Sequence, residues 1–210
     1  VITVQMFDRY LQKITQKPLS VFAKIILKYL SANHVTMIGF VFGIFMCLFI
    51  YLNFFLLAII FFILNFFCDG LDGVMARLST PTHLGAYLDI VLDFIIYSGF
   101  VLTFGLYDDG NIIISSLLLF SYICTGTTFL AQAIIQPKLD ALQYDESENT
   151  EIPKGFLYAS GLIEGTETIL FMILCLLFPN LFFLFGLIFM ILCISTALSR
   201  IVIFFIKNSN

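Results

Sequence analysis

Four aspartates in the stretch CDGLDGVMARLSTPTHLGAYLDIVLD could do chemistry in an otherwise apolar part of the chain. Asp69 and Asp72 are three residues apart, and Asp89 and Asp93 are four apart. Each pair therefore lies on one face of a helix. Pro81 falls between the pairs, where one helix must end and the next begin. Because two helices joined by so short a loop pack side by side, the two acidic faces are predicted to meet.

Carboxylates that converge in this way repel one another, and burying bare charge is costly. Asp oxygens at this spacing suit Mg²⁺ or Mn²⁺, and Mg²⁺ commonly brings substrate phosphates with it. Gly73 and Gly85 leave room for another helix or a flat ligand, and Arg77 could meet a phosphate. A solvated helix end without a ligand could explain Asp69 alone. It does not explain acids inside an apolar segment, which are functional by default.

The elements that hold these residues are predicted to be membrane helices. The chain has 210 residues, of which 60% are hydrophobic and 11% charged. A soluble domain carries about 25% charged residues. A helix crosses the hydrocarbon core in about 20 residues. Apolar runs of that length predict an all-α polytopic membrane protein with six transmembrane helices, at residues 35–52, 54–76, 82–104, 112–136, 156–178 and 180–206.

The basic residues predict the orientation of these spans. With six spans, all ten Lys and Arg fall on the side that holds both termini, and none falls in the opposite loops. The positive-inside rule then places both termini and the aspartates in the cytoplasm. An error of one span in the middle would scatter the basic residues over both sides, so their partition favours six.

The N-terminal segment differs from the rest of the chain. Residues 1–34 are predicted to hold an amphipathic helix, or two helices separated by Pro18, lying in the cytoplasmic interface with lysines toward lipid phosphates. The segment could anchor the protein or bind a lipid substrate. Residues 35–210 are predicted to form one six-helix catalytic domain.

The aspartate stretch resembles the motif D-x2-D-G-x2-A-R-x7-8-G-x3-D-x3-D of the CDP-alcohol phosphatidyltransferases. The stretch ANHVTMIG is similar to the N-x-x-T-x-x-G sequence that begins the family's first span. Together with six spans and an amphipathic N-terminal helix, the resemblance covers most of the chain. Every fixed position of the motif is present: Asp69, Asp72, Gly73, Ala76, Arg77, Gly85, Asp89 and Asp93.

The resemblance implies an enzyme that transfers a phosphatidyl group from a CDP-alcohol, expected to be CDP-diacylglycerol, to a small hydroxyl acceptor and releases CMP. It implies that the four aspartates hold two divalent cations, Mg²⁺ or Mn²⁺, and that Asp93 takes the proton of the acceptor. It also implies a location in a bacterial inner (plasma) membrane. The CDP-alcohol would be bound by Gly73, Ala76, Arg77, Gly85, Asn33 and Thr36, although the last two could simply be the polar start of a helix.

The acceptor is less well defined by the sequence. Glu164 and Glu167 lie in the predicted fifth span, where they could line an acceptor pocket or pair with Arg200 or with lysines for structure. A carboxylate there favours a neutral or amine-bearing alcohol such as serine, inositol or choline over a phosphorylated acceptor. Arg200 could extend to the lipid headgroups, pair with Glu167 or meet a substrate phosphate.

Other functions explain fewer of these residues. An ion or proton transporter would account for the intramembrane acids, but not for Asp72-Gly73 followed by Ala76-Arg77, and inverted repeats are not apparent. A scaffold that has lost activity is disfavoured because all four aspartates are present. The family resemblance implies a homodimer, and the small residues of span four (Ser121, Thr125 and Thr128) could help helices approach one another. No nucleic-acid partner is expected.

Overall fold

The computed structural model describes residues 19–144 and 165–208, and every regular element within those ranges is helical. Helix α1 covers residues 19–26 in the described part of the chain. Six further helices follow: α2 (Ala32–Tyr51), α3 (Phe55–Leu78), α4 (His83–Tyr107), α5 (Ile112–Tyr144), α6 (Gly165–Leu177) and α7 (Phe182–Asn208). Short 3₁₀ turns, Asp109–Asn111 and Pro179–Leu181, lead into α5 and α7.

Five of these helices are long and apolar enough to cross a membrane: Ala32–Tyr51, Phe55–Leu78, His83–Tyr107, Asp109–Ile135 and Pro179–Ile206. The all-α membrane class is therefore confirmed. Helix α6 has only 13 described residues, and the predicted span 156–178 begins outside the described residues. The count of six spans stays a prediction, as does the domain boundary at residue 35.

The first two spans separate at Asn53, as predicted. Asn53 has a backbone φ of 63°, in the left-handed region that asparagine tolerates better than most residues. Its N–H donates to the Ile50 carbonyl at 3.0 Å, and the Phe54 N–H donates to the Phe49 carbonyl at 2.8 Å. These bonds close the end of α2 and allow α3 to begin at once.

The short loop between α3 and α4 is fixed by two hydroxyl side chains. The Ser79 hydroxyl donates to the Met75 carbonyl at 2.9 Å, at the end of α3. The Thr82 hydroxyl accepts from the Gly85 N–H at 3.0 Å, which caps the start of α4. The C-terminal end of α3 and the N-terminal end of α4 therefore lie side by side, and these ends carry the aspartates.

Two apolar clusters hold the helices together. Helix α2 packs on α3 and α4, α5 packs on α4 and α7, and α6 contacts α3 and α7. In the larger cluster, the ring of Phe104 in α4 stacks on the ring of Phe182 in α7, with the centroids 4.3 Å apart. A smaller cluster lies next to the aspartates, where Ala23 of α1 and Val35 of α2 pack with Cys68, Leu71, Val74 and Met75 of α3.

Helix α1 tests part of the predicted N-terminal segment, because residues 1–18 lie outside the described residues. Ala23 is buried against α3, whereas the Val21 and Ile25 side chains are 61% and 54% exposed. The Phe22 ring meets the Phe67 ring edge-on, with centroids 6.2 Å apart. This part of the segment is thus attached to the helix that carries Asp69.

Two of the small residues predicted to help helices approach, Ser121 and Thr125, pack within the chain. Ser121 is fully buried, and the Thr125 hydroxyl donates to the Cys193 carbonyl of α7 at 2.7 Å. Ser121 and Thr125 thus take part in packing within the chain, and the homodimer stays a prediction. They allow α5 and α7 to approach within one chain, which sequence spacing alone does not distinguish from contact between chains.

Candidate active site

The two acidic helix faces meet where α3 ends and α4 begins. Asp69 of α3 and Asp89 and Asp93 of α4 each present an oxygen, and these three oxygens lie within 4.8 Å of one another. Asp89 is exposed, and Asp69 and Asp93 are half-buried. At such separations two ionised carboxylates repel by about 3 kcal/mol at an effective dielectric of about 20. The fold therefore holds together charges that need compensation.

Asp72 lies beside this group but is more deeply buried. Its side chain is only 6% exposed, and no described residue forms a hydrogen bond with its Oδ2 atom. Asp72 lines an open cavity of about 260 Å³ together with Asp69, Asp93 and Thr36. A buried carboxylate oxygen without a partner is costly, and a cation shared with the neighbouring carboxylates would offset that cost.

The donor set fits a hard divalent cation. Mg²⁺ and Mn²⁺ prefer oxygen ligands, and the described residues supply three converging carboxylates with a fourth in the same cavity. The predicted ligands Asp69, Asp89 and Asp93 are thus brought together, and Asp72 is adjacent to them.

Of the two glycines of the motif, Gly85 lies at a close approach between helices, whereas Gly73 has only an ordinary contact with Arg77. A Cβ atom on Gly85 would lie 2.9 Å from Asn33 Oδ1, so the lack of a side chain lets the start of α2 approach α4. A Cβ atom on Gly73 would lie 3.5 Å from Arg77 Nη1, so the exposed guanidinium lies over Gly73. Asn33 thus sits beside Gly85, and Arg77 beside Gly73, at the aspartate end of the bundle.

Two polar residues of the site escaped the sequence reasoning. Asn65 precedes Asp69 by one helical turn, and its Nδ2 donates to the Gly39 carbonyl of α2 at 2.9 Å. Tyr97 follows Asp93 by one turn, and its hydroxyl donates to Asp93 Oδ2 at 3.3 Å. Their spacing of four residues from an aspartate was the signal that could have identified them.

A second open cavity, of about 290 Å³, lies toward α6. Its polar lining comes from Asn65, Asp69, Asp93 and Tyr97, and its apolar lining from Phe62, Phe66, Ile169 and Met172. Asp69 and Asp93 line both cavities, so the carboxylates are accessible from two sides.

The predicted acceptor residues are located only in part. Glu164 lies outside the described residues, and Glu167 is in the first turn of α6. Because successive residues of a helix are rotated by about 100°, Glu167 is about 160° around α6 from Ile169, which lines the second cavity. Their role in acceptor binding stays a prediction.

Arg200 lies between α5 and α7 and is only 4% exposed. Its Nη1 donates to the Thr125 carbonyl at 3.1 Å, and its guanidinium carbon lies 5.4 Å from the centre of the Phe129 ring. The backbone of Arg200 lies level with Gln132, whose side-chain Nε2 donates to the Arg200 carbonyl at 3.1 Å. The guanidinium lies level with Thr125, which is seven residues before Gln132 in α5. The guanidinium thus reaches toward the middle of the bundle, which excludes extension to the headgroups among the three alternatives for Arg200; its pairing with Glu167 and its contact with a substrate phosphate stay predictions. Helical side chains tilt toward the N-terminus of their helix, and for α7 that direction leads inward.

Comparisons with known proteins agree with this site. A family model described as CDP-alcohol phosphatidyltransferase matches residues 29–199, which include the whole aspartate stretch. The chain is 38% identical over 176 residues to "Inner membrane protein YnjF" of Escherichia coli (strain K12), and the match covers 82% of each chain.

Proposed function

The chain belongs to the CDP-alcohol phosphatidyltransferase family, and on that premise we propose that it transfers a phosphatidyl group from CDP-diacylglycerol to a small alcohol and releases CMP. The observation that carries this proposal is the convergence of Asp69, Asp89 and Asp93 beside the buried Asp72 Oδ2, which has no hydrogen-bond partner among the described residues. Such a set of carboxylates suits a cation-assisted reaction of a diphosphate.

We propose that the four aspartates hold two divalent cations, Mg²⁺ or Mn²⁺. The cations would neutralise the diphosphate and stabilise CMP as it leaves. Arg77 contacts a diphosphate oxygen, because its exposed guanidinium can leave Gly73 and form a bidentate bond. The cytidine lies along Gly73 and Ala76, where side chains are small, and Asn33, Thr36 and Gly85 border the nucleotide.

In the proposed step, Asp93 takes the proton of the acceptor hydroxyl. The acceptor oxygen forms a bond to the phosphorus that carries the diacylglycerol. The bond from that phosphorus to the oxygen bridging the two phosphates breaks, and the bridging oxygen leaves as part of CMP. Asp93 suits the base role because it lines both cavities and can therefore meet donor and acceptor from different sides.

The proposed site lies at the cytoplasmic edge of a bacterial inner membrane. A position near helix ends lets CMP leave into water while the diacylglycerol stays in lipid. The positive-inside distribution of all ten Lys and Arg supports the cytoplasmic side, and the printed name of the E. coli relative calls that protein an inner membrane protein.

We propose that the acceptor is neutral or amine-bearing. The described lining of both cavities contains aspartates but no lysine or arginine, which disfavours a phosphorylated acceptor. Glu164 and Glu167 would add negative charge if they border the acceptor as predicted, and a contact of Arg200 with the acceptor would act against that preference.

The test is CMP release by the purified full chain in detergent–lipid micelles. CDP-diacylglycerol is offered with Mg²⁺ or Mn²⁺ and with serine, inositol, choline or glycerol 3-phosphate in separate reactions, and EDTA serves as the control. CMP release with one of the first three alcohols, absent in EDTA, is expected. A preference for glycerol 3-phosphate contradicts the proposed acceptor class. Proton or metal flux in liposomes without any CMP release would instead favour a transporter.

A further inference from the structure

Tyr97 approaches one oxygen of Asp93. Its hydroxyl donates to Asp93 Oδ2 at 3.3 Å from one turn further along α4. This is longer than the ~2.7–2.8 Å typical of such bonds. Hydrogen bonds in ligand-free active sites are often long and shorten when the site is loaded. With Asp93 ionised, the phenol is the donor, because an ionised carboxylate can only accept.

The position of the hydroxyl is set by packing of the ring. Tyr97 is half-buried and packs against the main apolar cluster, which includes Phe100 in the next turn of α4. The ring also lines the second cavity, together with Ile169 and Met172 of α6. A phenol whose ring is held by packing can restrain a carboxylate, because its side chain loses little further conformational entropy when it forms the hydrogen bond.

We infer that Tyr97 is a positioning residue, which holds Asp93 Oδ2 so that the other oxygen is presented to the cation and the acceptor hydroxyl. The expected effect of Tyr97 on the reaction rests on the proposed function. The expected effect of Tyr97 on cation binding does not. Partners that orient a metal ligand commonly change metal affinity or activity by about 10- to 100-fold when they are lost.

Tyr97→Phe removes only the hydroxyl and keeps the ring. The matched control is Tyr107→Phe at the far end of the same helix, where the ring meets Phe55 edge-on with centroids 5.2 Å apart. Mn²⁺ binding by the full chain is measured by electron paramagnetic resonance, and steady-state CMP release is measured in parallel. Tyr97→Phe is expected to raise the Mn²⁺ Kd and to lower kcat, each by about tenfold, with an unchanged KM for CDP-diacylglycerol. Tyr107→Phe is expected to match the wild type.

A double-mutant cycle with Asp93→Ala, which leaves the Tyr97 hydroxyl without its acceptor, separates positioning from general damage. If Tyr97 acts through Asp93, removing its hydroxyl in the Asp93→Ala background leaves the Mn²⁺ Kd unchanged, whereas damage to the fold gives additive effects. Additivity, equal Mn²⁺ affinity of Tyr97→Phe and wild type, or a wild type that binds no Mn²⁺ each overturns the inference. A wild type that binds Mn²⁺ and responds to Tyr97→Phe but releases no CMP refutes the proposed function and leaves the positioning role standing.

Discussion

Two regions of this protein place charge inside a membrane bundle, and they treat it in opposite ways. Between α5 and α7, the buried Arg200 donates to the Thr125 carbonyl and stacks on Phe129. Between α3 and α4, three carboxylates point toward one another, and the neighbouring Asp72 Oδ2 has no hydrogen-bond partner in the described part of the chain. The arginine is stabilised by contacts within the protein, whereas the described residues supply no such contact for Asp72 Oδ2.

This difference shows that an intramembrane charge is not by itself a sign of a site. Asp72 and Arg200 both satisfy the rule that such residues face the interior of the bundle, since they are 6% and 4% exposed. The two regions differ in whether the protein itself supplies groups that interact favourably with the buried charge. The following predictions test that distinction, because substitutions at the aspartates should change chemistry and substitutions between α5 and α7 should change stability.

The largest effect is expected for Asp93→Asn. Loss of a general base lowers a rate by about 10²–10⁴-fold, and the substitution keeps the size of the side chain. CMP release from CDP-diacylglycerol by the purified protein measures the effect. Asp109→Asn, an exposed acid in the turn at the other end of α4, is the control and should be as active as the wild type. An active Asp93→Asn protein would exclude the base role.

Asp89→Asn should separate function from stability. Losing one carboxylate relieves repulsion, so in EDTA the variant should unfold at a higher temperature than the wild type. Its Mn²⁺ affinity should fall by at least about tenfold, so saturating Mn²⁺ should stabilise it less. Thermal unfolding in detergent with and without Mn²⁺ measures both effects. A variant that is less stable than the wild type in EDTA would mean that Asp89 already has its partners within the protein.

The sequence predicted the aspartate region better than the α5–α7 region, and the reason is the range of the interactions. The pairs Asp69–Asp72 and Asp89–Asp93 meet because of helical spacing and a short loop, both of which are local. The break at Asn53 is also local. The inward direction of Arg200 and the use of Thr125 within the chain depend on which helix packs against α5, and no local pattern contains that information. Tyr97 was missed because tyrosine in an apolar helix is usually a packing residue.

Two arginine substitutions should give reciprocal results. Arg200→Met removes a hydrogen bond from a charged donor, which is worth about 1.5–3 kcal/mol, so the free energy of unfolding in detergent should fall by about that amount. Arg77→Met, at an exposed position, should change stability by less than about 0.5 kcal/mol but raise the KM for CDP-diacylglycerol. If Arg200→Met instead raises the acceptor KM at unchanged stability, Arg200 belongs to the acceptor pocket and the contrast between the two regions fails.

The smallest effect is expected for Thr125→Val, which removes the hydroxyl that donates to the Cys193 carbonyl at 2.7 Å but keeps the branched shape. Hydrogen bonds between membrane helices average about 0.6 kcal/mol, so the free energy of unfolding should fall by about that amount. Thr127→Val is the matched control, since Thr127 is exposed and its hydroxyl, within the described part of the chain, donates to carbonyls of its own helix, at Ile123 and Cys124. Mn²⁺ binding should be the same in both variants, because the hydroxyl serves the contact of α5 with α7. A change in Mn²⁺ affinity for Thr125→Val alone would show that the two regions are coupled, and that the polar contacts of α5 and α7 help to hold the aspartates in place.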